Sequence, residues 1–326
     1  MPFRIRVSLA ILLGLLTLFF VGPLITPVRP LSNIVPIADL TDEDSQFVSV
    51  KDIEIHYKSF GNPDSDPVYL LLHGFGAHSY TWHELTSSLA ERSYVIAFDR
   101  PAFGFTERPL KEDFNGFNPY TQEAQLELIK GLMDALSIEQ ALFIGHSAGA
   151  RISVEFALAH PDKVTGLVLL DAAIYNSGAR TGLGRLLLFT PQMNRMGPLF
   201  MRQFAGEPGL KVLRASWANP DALDDETLEA YQKPLQAADW DKALWELTKA
   251  SSAPQFIPDL PTITQPALIL TGLEDKTVPP ELSKRLDADL PNSTYAEYEA
   301  CGHVPQEECP IAVLETLQSW LNDQNF

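Results

Sequence analysis

The chain has 326 residues, enough for one large domain or two ordinary ones and for a sizeable buried core. Its 45% hydrophobic and 20% charged residues are the composition of a globular protein, which excludes intrinsic disorder. A formal charge of -18 without a clustered basic face excludes a nucleic-acid partner, and it requires any membrane residence to come from apolar insertion.

Such an insertion is offered first in chain order. No charge interrupts the segment from Val7 to Val28, and at 1.5 Å per residue a helix of that length reaches about 30 Å, the thickness of a bilayer core. Residues 1–29 are therefore expected to form a single transmembrane anchor. The alternative is a cleaved signal with Arg4 and Arg6 as its basic region, although the apolar run is long for one and no A-x-A site follows. With Arg4 and Arg6 ahead of the span, the N-terminus is expected in the cytoplasm and the body on the periplasmic, lumenal or extracellular side; signal cleavage would instead give a secreted body. Pro27, Pro30 and Pro36 and the acidic stretch Asp39 to Asp44 read as a linker over 30–45, with folded structure expected from Gln46.

Phe47 to Val50 and Ile53 to Lys58 read as a strand pair. Nearly continuous apolar runs follow at Val68–Leu72, Tyr94–Phe98, Ala141–Ile144, Val164–Leu170 and Ala267–Leu270, the pattern of strands buried on both faces. Helical spacing over Tyr120–Leu136 and Ala148–Ala159 alternates with them, which predicts an α/β fold with a mostly parallel sheet and function on the loops after the strands. The alternation stops between about Ala173 and Pro261, where no strand is predicted for nearly ninety residues. This region is expected to be a helical insertion dividing a core of 46–172 from its second part, 262–326. Its Met193, Met196, Met201, Trp217, Trp240 and Trp245 either line an adaptable apolar pocket or form the insertion's own core.

The sharpest chemical signal is Gly145-His146-Ser147-Ala148-Gly149, because it follows an apolar strand and opens a helix. In a tight strand-to-helix turn the serine is forced into a strained backbone conformation, and the flanking glycines let strand and helix approach. A serine hydroxyl is a weak nucleophile, so it needs a base oriented by a carboxylate. His303, in a late loop before the helix Pro310–Leu321, is the candidate base, whereas His146 and His73 read as structural. Asp275, in the loop after Ala267–Leu270, is the candidate acid, with Glu274 beside it and Asp171 at the end of another strand as alternatives. Cys301 and Cys309 can pair in an exported body or remain two thiols otherwise. No metal-ligand spacing and no dinucleotide fingerprint appears, so neither a metal nor an organic cofactor is expected.

The chain order Ser147, Asp275, His303, together with His73-Gly74-Phe75-Gly76, resembles the α/β-hydrolase superfamily over roughly Phe47 to Leu321. The resemblance implies a helical lid after the sixth strand and an oxyanion hole made by the backbone N–H groups of Phe75 and Ala148. Asp99-Arg100-Pro101-Ala102-Phe103-Gly104 is similar to a segment of epoxide hydrolases, haloalkane dehalogenases and lidded esterases, but the serine nucleophile departs from the first two. That segment can also be purely structural, with Arg100 in an ion pair. The expected activity is hydrolysis of a small hydrophobic carboxylic ester. C–C bond hydrolysis, thioester hydrolysis and monoacylglycerol lipolysis use the same triad and stay open, as does a slowly turning small-molecule receptor.

Overall fold

The computed structural model describes residues 8, 13–15, 17–175, 182–324 and 326. Eight strands form one sheet: β1 (Gln46–Val50), β2 (Ile53–Phe60), β3 (Val68–Leu72), β4 (Tyr94–Phe98), β5 (Ala141–His146), β6 (Val164–Leu170), β7 (Ala267–Gly272) and β8 (Ser293–Tyr298). Their spatial order is β1-β2-β4-β3-β5-β6-β7-β8. The β1/β2 and β2/β4 pairs are antiparallel and the remaining pairs parallel. Consecutive residues of the central strands divide between the two faces. Leu70, Leu72 and Phe143 enter one core with the helices Gln122–Ala135 and Ala148–Ala159, while Tyr69, Leu71, Leu142 and Ile144 enter the other with the helices His83–Leu89 and Pro310–Gln324. This two-residue alternation in strands that are apolar on both sides explains why they read as continuous hydrophobic runs.

Between β6 and β7 the described residues from 182 to 262 form only helices and connecting turns, the longer helices being Pro191–Met201, Glu207–Ala215, Asp225–Gln232 and Trp240–Ala250. Trp240 is buried with Ala102, Phe103 and Tyr120, and Trp245 lies where a Cβ on Gly197 would sit 2.1 Å from its ring. These two indoles bind the insertion to itself and to the sheet domain; they do not line a pocket.

The N-terminal segment departs from the expected uninterrupted span. Among the described residues no helix is long and apolar enough to cross a membrane. Residues 17–20 are helical, and the helix begins again as the short turn Gly22–Ile25. Pro23 supplies the physical reason, since it has no N–H to continue the ladder. Residues 1–7, 9–12 and 16 of the expected anchor lie outside the described residues. Chain packing starts before Gln46: Leu40 is buried with Phe105 and Ala237, and the Val35 N–H donates to the Gln236 carbonyl at 3.0 Å. Leu31, Val35, Ile37 and Leu40 give that acidic, proline-containing stretch enough apolar surface to lie against the body.

Candidate active site

Three loops at the carboxyl ends of β5, β7 and β8 converge on one buried point. Ser147 stands between β5 and the helix Ala148–Ala159 with φ 52° and ψ -114°, a region L-residues rarely occupy. Neighbouring bonds hold it there: its N–H donates to the Leu170 carbonyl at 2.9 Å, and its carbonyl accepts from Ala173 at 3.2 Å. The turn is possible only with glycine beside it. A Cβ on Gly149 would lie 2.0 Å from the Leu72 carbonyl oxygen, and one on Gly145 would lie 2.6 Å from Ala150 Cα.

His303 Nε2 lies 3.0 Å from Ser147 Oγ, and His303 Nδ1 lies 2.7 Å from Asp275 Oδ2. An ionised carboxylate only accepts, so Nδ1 carries the proton and Nε2 is left to accept from the serine hydroxyl. The second oxygen of Asp275 accepts from the N–H groups of Thr277 at 2.6 Å and Val278 at 2.9 Å, which fixes the carboxylate plane. All three side chains are buried. The arrangement can withdraw a proton from Oγ, stabilise the resulting imidazolium and later return the proton.

The neighbouring acids separate clearly. Glu274 takes no part in this hydrogen-bond chain, which runs through Asp275 alone. Asp171, the other alternative, is fully buried at the end of β6 with φ 44° and accepts from Thr271 Oγ1 at 2.6 Å and the Gly272 N–H at 3.1 Å. Burial, reinforced by the Asp275 charge, pushes its pKa well above the usual carboxylate range, which favours the protonated acid at Asp171. Among the described residues, Asp171, Asp275 and His303 are also the one group whose donor atoms, all within 4.8 Å of one another, suit a metal. Here the Asp275 and His303 donors are already hydrogen-bonded to each other.

The loop after β3 passes close to the serine, since a Cβ on Gly74 would lie 3.2 Å from Ser147 Cβ. Its carbonyls face away into the protein. Arg100 Nη2 donates to the carbonyls of His73 at 3.0 Å and Gly74 at 3.1 Å, and Nη1 donates to Gln125 Oε1 at 3.0 Å. The Arg100 N–H in turn donates to His73 Nε2, while His73 Nδ1 donates to the Gly74 carbonyl at 2.7 Å. Arg100 therefore has the structural part weighed from sequence, but it meets carbonyls and an amide and makes no ion pair among the described residues; burial alone lowers its pKa to about 9. Asp99 instead accepts from His56 Nδ1 at 2.7 Å and from the Ser79 and Phe105 N–H groups. Sequence reasoning missed this clamp because its partners are carbonyl oxygens, which every residue carries.

The N–H of Ala148, first in its helix, has no intrahelical acceptor. Phe75 follows the clamped Gly74, and its ring packs edge-on against Phe103 and Phe204. His146 donates from Nε2 to the His303 carbonyl at 2.6 Å, and burial, with His303 adding to it, drives its pKa down to about 3, so it stays neutral. The His303 loop is further clasped by a Cys301–Cys309 disulfide. Glu308 accepts from the N–H groups of Ala218, Asn219 and Gly302, which ties the same loop to the insertion.

A cavity of about 120 Å³ opens over His303, walled by Phe75, Phe204, Leu210, Val212, Leu213 and Tyr231 with backbone from Gly76 and Gly209. None of the insertion's methionines or tryptophans lines it. The Tyr231 hydroxyl points out of the cavity to Glu307, which also accepts from Thr81. Burial raises the Glu307 pKa to about 7.

The sheet order and the serine turn agree with comparison to known proteins. The profile of the alpha/beta hydrolase fold matches residues 67–310. The chain belongs to the alpha/beta hydrolase fold family and is a hydrolase of that fold. An uncharacterized hydrolase of Bacillus subtilis, YugF, is 27% identical over 273 residues, which cover 84% of this chain and 96% of YugF. The 2-hydroxy-6-oxo-2,4-heptadienoate hydrolase of Pseudomonas putida is 29% identical over 262 residues, 78% of this chain and 87% of its own length. Among solved structures, a bacterial membrane phospholipase A superposes over 98% of each chain with a TM-score of 0.67 and 25% identity.

Proposed function

We propose that the protein is a serine esterase acting on uncharged carboxylic esters with a hydrophobic moiety, with Ser147, His303 and Asp275 as its catalytic triad. His303 Nε2 takes the Ser147 proton as Oγ attacks the ester carbonyl, and the N–H groups of Phe75 and Ala148 bind the tetrahedral oxyanion. His303 then gives that proton to the leaving alkoxide as the C–O bond breaks, which leaves an acyl-serine. Water, deprotonated by the same imidazole, attacks the acyl group, and expulsion of Oγ with its proton returned releases the acid.

The continuous Ser147–His303–Asp275 hydrogen-bond chain carries this reading. The bond type is argued from the cavity. The Pseudomonas relative is named for a dienoate, a carboxylate-bearing substrate, yet no lysine or arginine lines the cavity here. Without a cation to meet it, a substrate carboxylate would be buried unpaired, so a neutral ester fits better than a C–C substrate of that class. The volume is below the roughly 300–1,000 Å³ of usual ligand pockets. The insertion therefore acts as a lid whose helix Glu207–Ala215 moves outward for a long acyl chain.

Turnover of p-nitrophenyl esters of graded acyl length by the full chain tests the activity. Ser147→Ala is expected to lower it by about 10⁴-fold or more. Equal rates in both proteins would remove Ser147 from the chemistry.

The apolar N-terminus anchors the chain in this reading, with the catalytic body outside the cytoplasm, where the Cys301–Cys309 pair is stable. The likeness to a membrane phospholipase over nearly the whole chain supports it. Carbonate extraction is the check: the full chain should stay in the membrane pellet, whereas a released body beginning near residue 30 would identify a cleaved signal.

A further inference from the structure

The protein's charge is unevenly divided, and a basic stretch within the insertion corrects the expectation, drawn from the total of -18, that no basic cluster exists and that a membrane is met by apolar insertion alone. From 182 to 215 the insertion carries Arg185, Arg195, Arg202, Lys211 and Arg214 against a single acid, Glu207, in a chain of net charge -18. From 216 to 261 the balance reverses, with nine acids against three bases. Arg185, Arg195 and Lys211 are exposed, and among the described residues neither they nor Arg214 meet a carboxylate within ion-pair distance. The same stretch bears large exposed apolar side chains: Leu186, Leu187, Phe189, Phe200 and Val212 are each more than half exposed. Isolated apolar residues on a surface need no explanation, but five within one run of packed helices do.

What lies beside this face indicates what covers it. The turn Gly22–Ile25 packs on the helix Pro191–Met201. Gln192 Nε2 donates to the Phe20 carbonyl at 2.9 Å, Arg195 to the Thr26 carbonyl at 2.9 Å and Arg202 to the Arg29 carbonyl at 2.7 Å. The exposed Leu18, Phe19, Phe20 and Ile25 of the apolar N-terminus therefore adjoin the basic, apolar part of the insertion. Val212 belongs both to this face and to the wall of the cavity over His303.

We propose that the 182–215 face of the insertion docks on a phospholipid bilayer with an anionic surface. Its leucines and phenylalanines enter the interface, Arg185, Arg195 and Lys211 meet headgroup phosphates, and the cavity opens toward the lipid. A bilayer fits because apolar and basic residues are interspersed, the signature of an interfacial element, and because the face continues into a segment apolar enough for hydrocarbon. The substrate class follows, resting on the esterase reading above: a lipid ester taken from the membrane, with an acyl chain too long for the 120 Å³ cavity.

Two measurements test this on the full chain reconstituted in vesicles of phosphatidylcholine and phosphatidylglycerol. The first is independent of catalysis. Tryptophan fluorescence of Leu187→Trp should show quenching by brominated phosphatidylcholine beyond that of the wild type, while Ile311→Trp, an exposed position on the helix Pro310–Gln324, should show none. In the second, Arg185→Glu with Lys211→Glu should slow hydrolysis of a vesicle-borne lipid ester about tenfold and leave p-nitrophenyl butyrate turnover unchanged. An unquenched Leu187→Trp would overturn the docking. So would a detergent-solubilised dimer that Leu187→Glu dissociates, since a second copy would then be the occupant. Quenching with undiminished vesicle hydrolysis in the charge variant would overturn the role of the basic residues. If no ester is turned over in either form, the esterase reading fails, and the quenching still decides the docking.

Discussion

Two carboxyl groups stand near His303, and their surroundings differ. Asp275 accepts two backbone N–H groups on one oxygen and the imidazole N–H on the other. Asp171 has the Asp275 charge beside it and is buried, so it keeps its proton. Asn should therefore replace Asp171 with little consequence, since it is also neutral and of the same shape: Asp171→Asn is expected to retain kcat within about threefold. Asp275→Asn presents an amide where His303 needs an acceptor, and a loss of about 10⁴-fold in kcat is expected by analogy with triad proteases. Steady-state kinetics on the two variants decides between them, and a deep loss in Asp171→Asn alone would transfer the acid's role to β6. Arg100 illustrates the same point about surroundings. The sequence offers a cation next to Asp99, but the carbonyls of His73 and Gly74 capture it and thereby fix the loop that carries Phe75.

At the scale of elements, the serine turn depends on how closely the helix Ala148–Ala159 approaches β3. Gly149 makes that approach possible. In Gly149→Ala the new methyl would meet a strand carbonyl at 2.0 Å, and the central sheet cannot move aside. Urea unfolding is expected to show a loss of about 3 kcal/mol or more. Gly184, helical and with no described residue within 4 Å of an added Cβ, is the control: its alanine variant should be neutral or gain up to about 1 kcal/mol. A Gly149→Ala protein as stable as the control would show that the contact relaxes and that the motif's second glycine is dispensable. The His303 loop is held differently, by the Cys301–Cys309 bond and by Glu308 reaching the insertion, so this loop and the insertion are mechanically linked.

For the whole molecule, the buried titratable groups set a stability window in pH. Glu307 keeps its proton to about pH 7 when folded, against 4.5 for the free side chain, so the folded state holds more protons across that interval. Stability then falls as pH rises through it, by about 3 kcal/mol for a shift of this size. His146 acts in the opposite sense. Its folded pKa of about 3, against 6.5, lets the unfolded chain bind the proton first, and stability falls as pH drops below 6.5 toward 3. Between about pH 4.5 and 6.5 these two effects offset each other. Glu307→Gln should resist the alkaline loss, so its denaturation midpoint should exceed that of the wild type by a margin that widens from pH 5 to 8. A constant margin would mean that Glu307 ionises without cost.

What the sequence determined by itself was local or periodic: the parallel strands from runs that are apolar on both faces, the strained serine from a G-x-S-x-G placed between strand and helix, and the helical insertion from a missing strand pattern. The histidine that meets Ser147 was also legible, from its place in a late loop before the last helix. The tertiary structure decided which of three acids meets His303, what Arg100 holds and which insertion residues wall the cavity. Each of these is a distance between segments far apart in the chain, between β6 and β7 or between the insertion and the loop after β3. Hydrophobic periodicity records which side of an element is buried and carries no information about what it is buried against.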